Sequence, residues 1–175
     1  MLNPQPGDFV CVAIPGALGT LVKIGEWLYG FGYTPYEHVE IYVGQPDEQG
    51  IFGYTISTYP DGNGKRPLLC PVADLPSALW STGKITVTDS QRQRIVNWCN
   101  GHADIPYSAA DYFALAAHRL HIPVPGLKNF IADTGHMICS QYVDYAYMQA
   151  GVHLFNDNRW PGYVVPMDLA HLIEN

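Results

Sequence analysis

At 175 residues the chain sits within the about 100–200 usual for one domain, and 47% hydrophobic against 14% charged residues excludes a disordered or fibrous class. A net charge of −7 with no concentration of Lys or Arg argues against a nucleic-acid partner, which needs a basic footprint. The scattered Cys11, Cys70, Cys99 and Cys139 contain no Cys-x-x-Cys pair and offer no disulfide framework.

Residues 7–14 (GDFVCVAI) read as a strand entered through the turn at Pro6-Gly7. Residues 17–29 place Leu18, Leu21, Val22, Ile24 and Leu28 near helical spacing. The β-rich run 38–43 (HVEIYV) ends at Gly44-Gln45-Pro46-Asp47, and a second run, 51–58 (IFGYTIST), stops at Pro60-Asp61-Gly62. The two are expected to pair as a hairpin with a long loop. Residues 84–88 (KITVT) read as another strand. Thr88 or Asp89 then caps a helix that Gly101 closes in the C′ position. Further helices are expected over 110–120, stopped by Pro123, over 138–150, closed by Gly151, and over 167–173 after Pro166. Strands early and helices late give an α+β class, with helices packed on one sheet, in a single domain over 1–175. No run approaches about 18 apolar residues, so no transmembrane segment is expected. The N-terminal MLNPQPGDFVCVAIPG lacks a basic region followed by a long apolar core. The expectation is therefore no signal peptide and synthesis in the cytoplasm.

Cys139 stands at the very start of the helix 138–150. The first amides of a helix lack internal partners, and the macrodipole puts partial positive charge there. That setting favours thiolate, the nucleophilic form, and the same amides could hold an oxyanion. A buried structural cysteine is the bland alternative, and it is the expected role of Cys11, Cys70 and Cys99. Strand alternation puts His38, Glu40 and Tyr42 on one face of 38–43, and Val39, Ile41 and Val43 on the other. A lone His at a strand start is usually a surface residue. It gains meaning only beside the cysteine. His136-x-x-Cys139 and His118-x-x-His121 do not assemble the four ligands of a structural zinc site, so no metal is expected. Gly16-Ala-Leu-Gly19 lacks the Lys-Ser/Thr of a phosphate loop, and no cofactor is expected. The aromatic cluster Trp27, Tyr29, Phe31, Tyr33 and Tyr36 fits either core or the wall of a substrate groove.

In order along the chain stand Pro6-Gly7-Asp8-Phe9-Val10, a helix, His38-Val-x-Ile-Tyr-x-Gly44, a helix leading into Pro106-Tyr107, Cys139-Ser140, and Pro166-x-Asp168-Leu169-Ala170. This series resembles the permuted branch of the NlpC-type papain-like cysteine hydrolases, which includes YiiX-like proteins and is related to lecithin retinol acyltransferase. The resemblance implies a permuted papain-like fold with a small antiparallel sheet against the nucleophile helix. It implies Cys139 as nucleophile, His38 as base, Tyr107 near the nucleophile as an oxyanion aid, and acyl transfer from an amide, thioester or ester. Cys139 and His38 should then close to a contact of about 3–4 Å. The third polar group usually comes from the strand after the histidine strand. Ser57 is the nearest match there and is slightly preferred. Glu40 replaces a glycine usual in relatives, and it could orient the imidazole, line the groove or be solvated. Peptidoglycan stem peptides are the first substrate expectation, lipid or other acyl groups the second. A papain-like binding module with a decayed triad is the non-enzymatic alternative.

Overall fold

The computed structural model describes residues 3–14, 35–44, 52–62, 64–68, 78–108, 110–111, 115, 126, 129, 135–157 and 159–174. They form an α+β structure around one antiparallel sheet. Its five strands are β1 (Phe9–Val12), β2 (His38–Gly44), β3 (Tyr54–Ile56), β4 (Lys65–Pro67) and β5 (Leu79–Trp80), arranged β4-β3-β2-β1-β5. Three helices are described: α1 (Asp89–Gly101), α2 (Cys139–Gln149) and α3 (Pro166–Glu174).

The central pair β1–β2 aligns Phe9 with Ile41, Val10 with Glu40, Cys11 with Val39 and Val12 with His38. β2 and β3 form the expected antiparallel pair, with Ile41 opposite Ile56 and a register shift at Tyr42–Gly44. Because neighbours across a ladder share a face, the register sorts the sheet into two sides. Phe9, Cys11, Val39, Ile41, Val43 and Ile56 form one buried cluster with Tyr142, Val143, Ala146 and Tyr147 of α2. Val10, Tyr42 and Trp80 belong to a separate cluster with Leu68. The helices therefore cover the aliphatic face of β2, and His38, Glu40 and Tyr42 lie on the other.

Thr88 caps α1: its hydroxyl accepts from Gln91 N at 3.3 Å, while the Gln91 side chain accepts from Thr88 N at 2.9 Å. Gly101 is the last helical residue and His102 the C-cap, so Gly101 sits inside the helix and not in the C′ position expected of it. Gly151, at φ +76°, closes α2 in the left-handed conformation open to glycine.

The expected strand at 84–88 is not formed. Lys84 N and Ile85 N both donate to Ser81 O, at 2.9 and 3.3 Å, winding the backbone into a turn. Ile85 and Val87 instead lean their side chains onto the core. The outer edge of β1 is taken by β5, through Val10 opposite Trp80. The expected helix 17–29 lies outside the described residues, as does most of 110–120.

Candidate functional site

Two anchors fix the direction of α2. Tyr147 Oη donates to Gly7 O at 2.6 Å, and Gly7 N donates to Tyr42 O at 2.7 Å, tying the late part of α2 to the far end of β2. Tyr142 Oη donates to Cys99 O at 3.0 Å, near the end of α1. The start of α1 is held at that same far end of β2, where Arg92 pairs with Asp8 at 2.6 Å and Tyr42 N donates to Asp8 O. So α2 runs against α1, and its first residue points to the end of the sheet where β2 begins with His38.

Cys139 is that first residue, only 3% exposed. Its place on the core-facing stripe follows from spacing, since it precedes Tyr142, Val143, Ala146 and Tyr147 by three, four, seven and eight positions. The preceding Ile138 gives no side-chain cap. Gln141 turns its amide back instead: Oε1 accepts from Ile138 N at 2.9 Å, and Nε2 donates to Gly162 O at 2.8 Å. Ser140 Oγ donates to Val164 O at 2.8 Å. These three bonds pin the helix start and leave its first-turn amides to the dipole's positive end.

Tyr107 is carried to the same place by a parallel bridge with Met137. Met137 N donates to Pro106 O at 3.1 Å and Ser108 N to Met137 O at 3.2 Å. Burial pushes the Tyr107 phenol well up, and the nearby Cys139 adds to the rise. Tyr107 is thus a protonated donor beside the thiol.

His38 is 5% exposed. Its Nε2 lies 3.5 Å from Glu40 Oε1, and its ring meets Tyr59 at 4.8 Å between centroids. Among the described residues Nε2 has no hydrogen-bond partner. Burial depresses the imidazole pKa; Glu40 opposes the shift and Arg66 adds to it. The ring is therefore neutral at pH 7. His38 and Glu40 line a cavity of about 240 Å³ with Tyr59, Asp61, Arg66 and Val12 among others. Cys139 is not one of the lining residues. Arg66 lies 3.6 Å over the Tyr59 ring and pairs with Asp61 at 2.5 Å.

The structure thus joins His38 to Glu40, and Tyr107 to Cys139. Glu40, Tyr59 and Arg66 are described around the His38 ring. Ser57 is wholly buried, and its hydroxyl donates to Val39 O at 2.7 Å, so it serves the β2 backbone. Cys99 is buried in the middle of α1, with its thiol pushed up to about 12, and Cys11 is buried in β1. Cys70 lies outside the described residues.

Sequence reasoning missed two polar neighbours of His38 and two buried carboxylates elsewhere. Tyr59 had a signal, since extending the Ile41–Ile56 register brings it opposite His38. Arg66 had none, because KRP gives no strand pattern. Glu37 is 2% exposed and its Oε2 accepts from Ile14 N at 2.7 Å. Asp111 is fully buried, and its backbone N donates to Ser108 Oγ at 3.0 Å. Burial raises the Asp111 pKa against Ser108 and His136. Among the described residues no group of three or more His, Cys, Asp or Glu is placed to hold a metal, and no helix is long and apolar enough to cross a membrane. Compared with known proteins, the chain matches no family model and no curated sequence.

Proposed function

We propose that the chain is a cysteine hydrolase of the permuted papain-like kind, with Cys139 as nucleophile and an amide as substrate. A peptidoglycan stem peptide is the first substrate class, on the strength of the resemblance. The observation that carries the reading is Cys139 as the first residue of an uncapped, firmly pinned helix, with the protonated Tyr107 beside it. His38, at the same end of the sheet and held neutral, is the base. In the first step the thiol proton passes to His38 and sulfur adds to the carbonyl carbon. The resulting oxyanion sits against the first-turn amides and the Tyr107 hydroxyl. Collapse expels the amine, which takes the proton back from the imidazole. Water then adds to the thioester, regenerates the thiol and releases the acid.

A second reading has one observation in its favour. His38, Glu40, Tyr59 and Arg66 line a pocket of their own without Cys139. In that reading the fold is a binding module and His38 a ligand contact. Iodoacetamide labelling at neutral pH separates the two. The hydrolase reading expects Cys139 to react far faster than Cys11, Cys70 or Cys99, and His38→Ala to slow it. Equal rates at every accessible cysteine overturn it in favour of the module. For an active enzyme, digestion of purified peptidoglycan against release of fatty acid distinguishes amide from lipid substrates.

A further inference from the structure

A second cavity, of about 340 Å³, lies beside α2 and is lined by Asp144, Met148, Val152, His153, Leu154, Phe155, Arg159, Trp160 and Pro161. It is not part of the Cys139 site, because Asp144 and Met148 fall outside the core-facing stripe that begins at Cys139. Its walls are largely apolar. Its charge is not balanced. Arg159 is held by Asp157, through Nε and Nη2 at 2.8 and 2.6 Å to Oδ2, and by Asp168 at 3.1 Å, and its guanidinium stacks on Phe155 at 4.3 Å. Two carboxylates thus already share that one cation. Asp144 is a third carboxylate, 6% exposed and lining the cavity, and it accepts no hydrogen bond from any described residue. Its oxygens open onto the cavity, and that is where a charged donor can reach them. Trp160 hydrogen-bonds Tyr145, which leaves its ring as an aromatic wall.

We infer that this cavity binds a primary alkylammonium group, with the ammonium on Asp144 and its aliphatic stem against Trp160, Met148 and Leu154. Such a ligand supplies the donor that Asp144 lacks, an apolar body for the walls and a positive charge for the local excess of carboxylates. A lysine side chain and a free diamine share this chemistry.

Fluorescence titration with n-pentylammonium chloride at pH 7.5 tests it, with Trp160→Leu identifying the reporting indole. The expected result is saturable binding, at least 10-fold weaker in Asp144→Asn and at least 10-fold weaker for uncharged n-pentanol. Nα-acetyl-lysine amide and cadaverine as further ligands tell a lysine source from a diamine. A pH arm stands apart from the folding of the variant. Burial lifts the Asp144 pKa to about 6, against Arg159 and His153 and with Asp168 and Asp157. Amine affinity should therefore fall between pH 7.5 and 5 while the amine stays cationic. His153→Gln should keep that fall, which assigns it to Asp144. Absence of saturable amine binding, equal binding of pentanol, undiminished binding to a folded Asp144→Asn, or pH-independent affinity overturns the inference.

Discussion

The two faces of β2 differ in how completely their groups are matched. On the covered face, Val39, Ile41 and Val43 meet α2 in an all-apolar contact that asks nothing but shape. On the opposite face, His38 Nε2 is buried with no hydrogen-bond partner among the described residues. A buried polar group left in that state costs about 1–3 kcal/mol, so the second face holds unmet bonding capacity that the first does not. Stability should accordingly reside in the first face, and the second should hold the groups open to a proton or a ligand.

The most severe way to break this comparison is to truncate each face once. Ile41→Ala should cost about 2–5 kcal/mol of stability in chemical denaturation, through lost burial and the cavity it leaves. Turnover per folded molecule should change little. His38→Ala should do the reverse, lowering turnover about 10²–10⁴-fold with little loss of stability. If His38→Ala instead leaves hydrolysis intact while weakening a ligand, the binding-module reading takes its place.

Ser57→Ala probes the boundary between the faces, because Ser57 lies on β2's polar side yet donates to the β2 backbone at Val39 O. A loss of about 1 kcal/mol is expected, one ordinary buried hydrogen bond, with turnover unchanged. A large loss of turnover at constant stability would restore Ser57 as the group that orients the imidazole.

A smaller effect is acidic destabilisation. The folded His38 pKa is depressed, so below about pH 6.5 the unfolded chain takes up a proton that the folded chain resists. Stability should fall as pH drops from about 6.5 towards the folded value, and His38→Gln should remove that part of the slope. Asp144 works in the opposite sense. Its pKa, raised to about 6, means the folded carboxyl binds protons more readily than the unfolded one. Its burial cost, on the order of 3 kcal/mol above pH 6, is relieved on acidification. Asp144→Asn should therefore stabilise the protein at pH 7 and have little effect at pH 4, as read by melting temperatures at both.

What could be read in the sequence follows the same division. The aliphatic face of β2, the Thr88 capping box and the Cys139 helix were legible because period and cap chemistry are local properties. The run 84–88 misled because its β-branched residues pack on the core from a turn, and alternation cannot tell a laddered residue from a leaning one. Strands β4 and β5 are too short, at 3 and 2 residues, to carry a pattern. Of the site, Cys139 was legible from its place at the helix start. The surroundings of His38 were not, because Tyr59 and Arg66 reach it only through strand pairing. Asp144 gave no signal either, since its burial depends on the loop that carries Phe155 and Arg159.

The finest test concerns Glu40 and Arg66, which act on His38 with opposite sign. Glu40 stands 3.5 Å from Nε2 and favours the imidazolium; Arg66 disfavours it. Removing the Glu40 charge as Glu40→Gln should lower the His38 pKa further, because the protonated ring loses its only nearby anionic support among the described residues facing it. Removing the Arg66 charge as Arg66→Gln should raise it. If His38 is the base, the acid limb of kcat/KM is set by its pKa in the free enzyme. That limb should move to lower pH in Glu40→Gln and to higher pH in Arg66→Gln, each by a fraction of a unit. Both partners retain some solvent contact, with side chains 17% and 40% exposed, so screening keeps the shifts small. NMR titration of the His38 ring reads the same shifts without turnover. Should the ring move in the two directions while the kcat/KM profile stays fixed, then His38 titrates as described but is not the base.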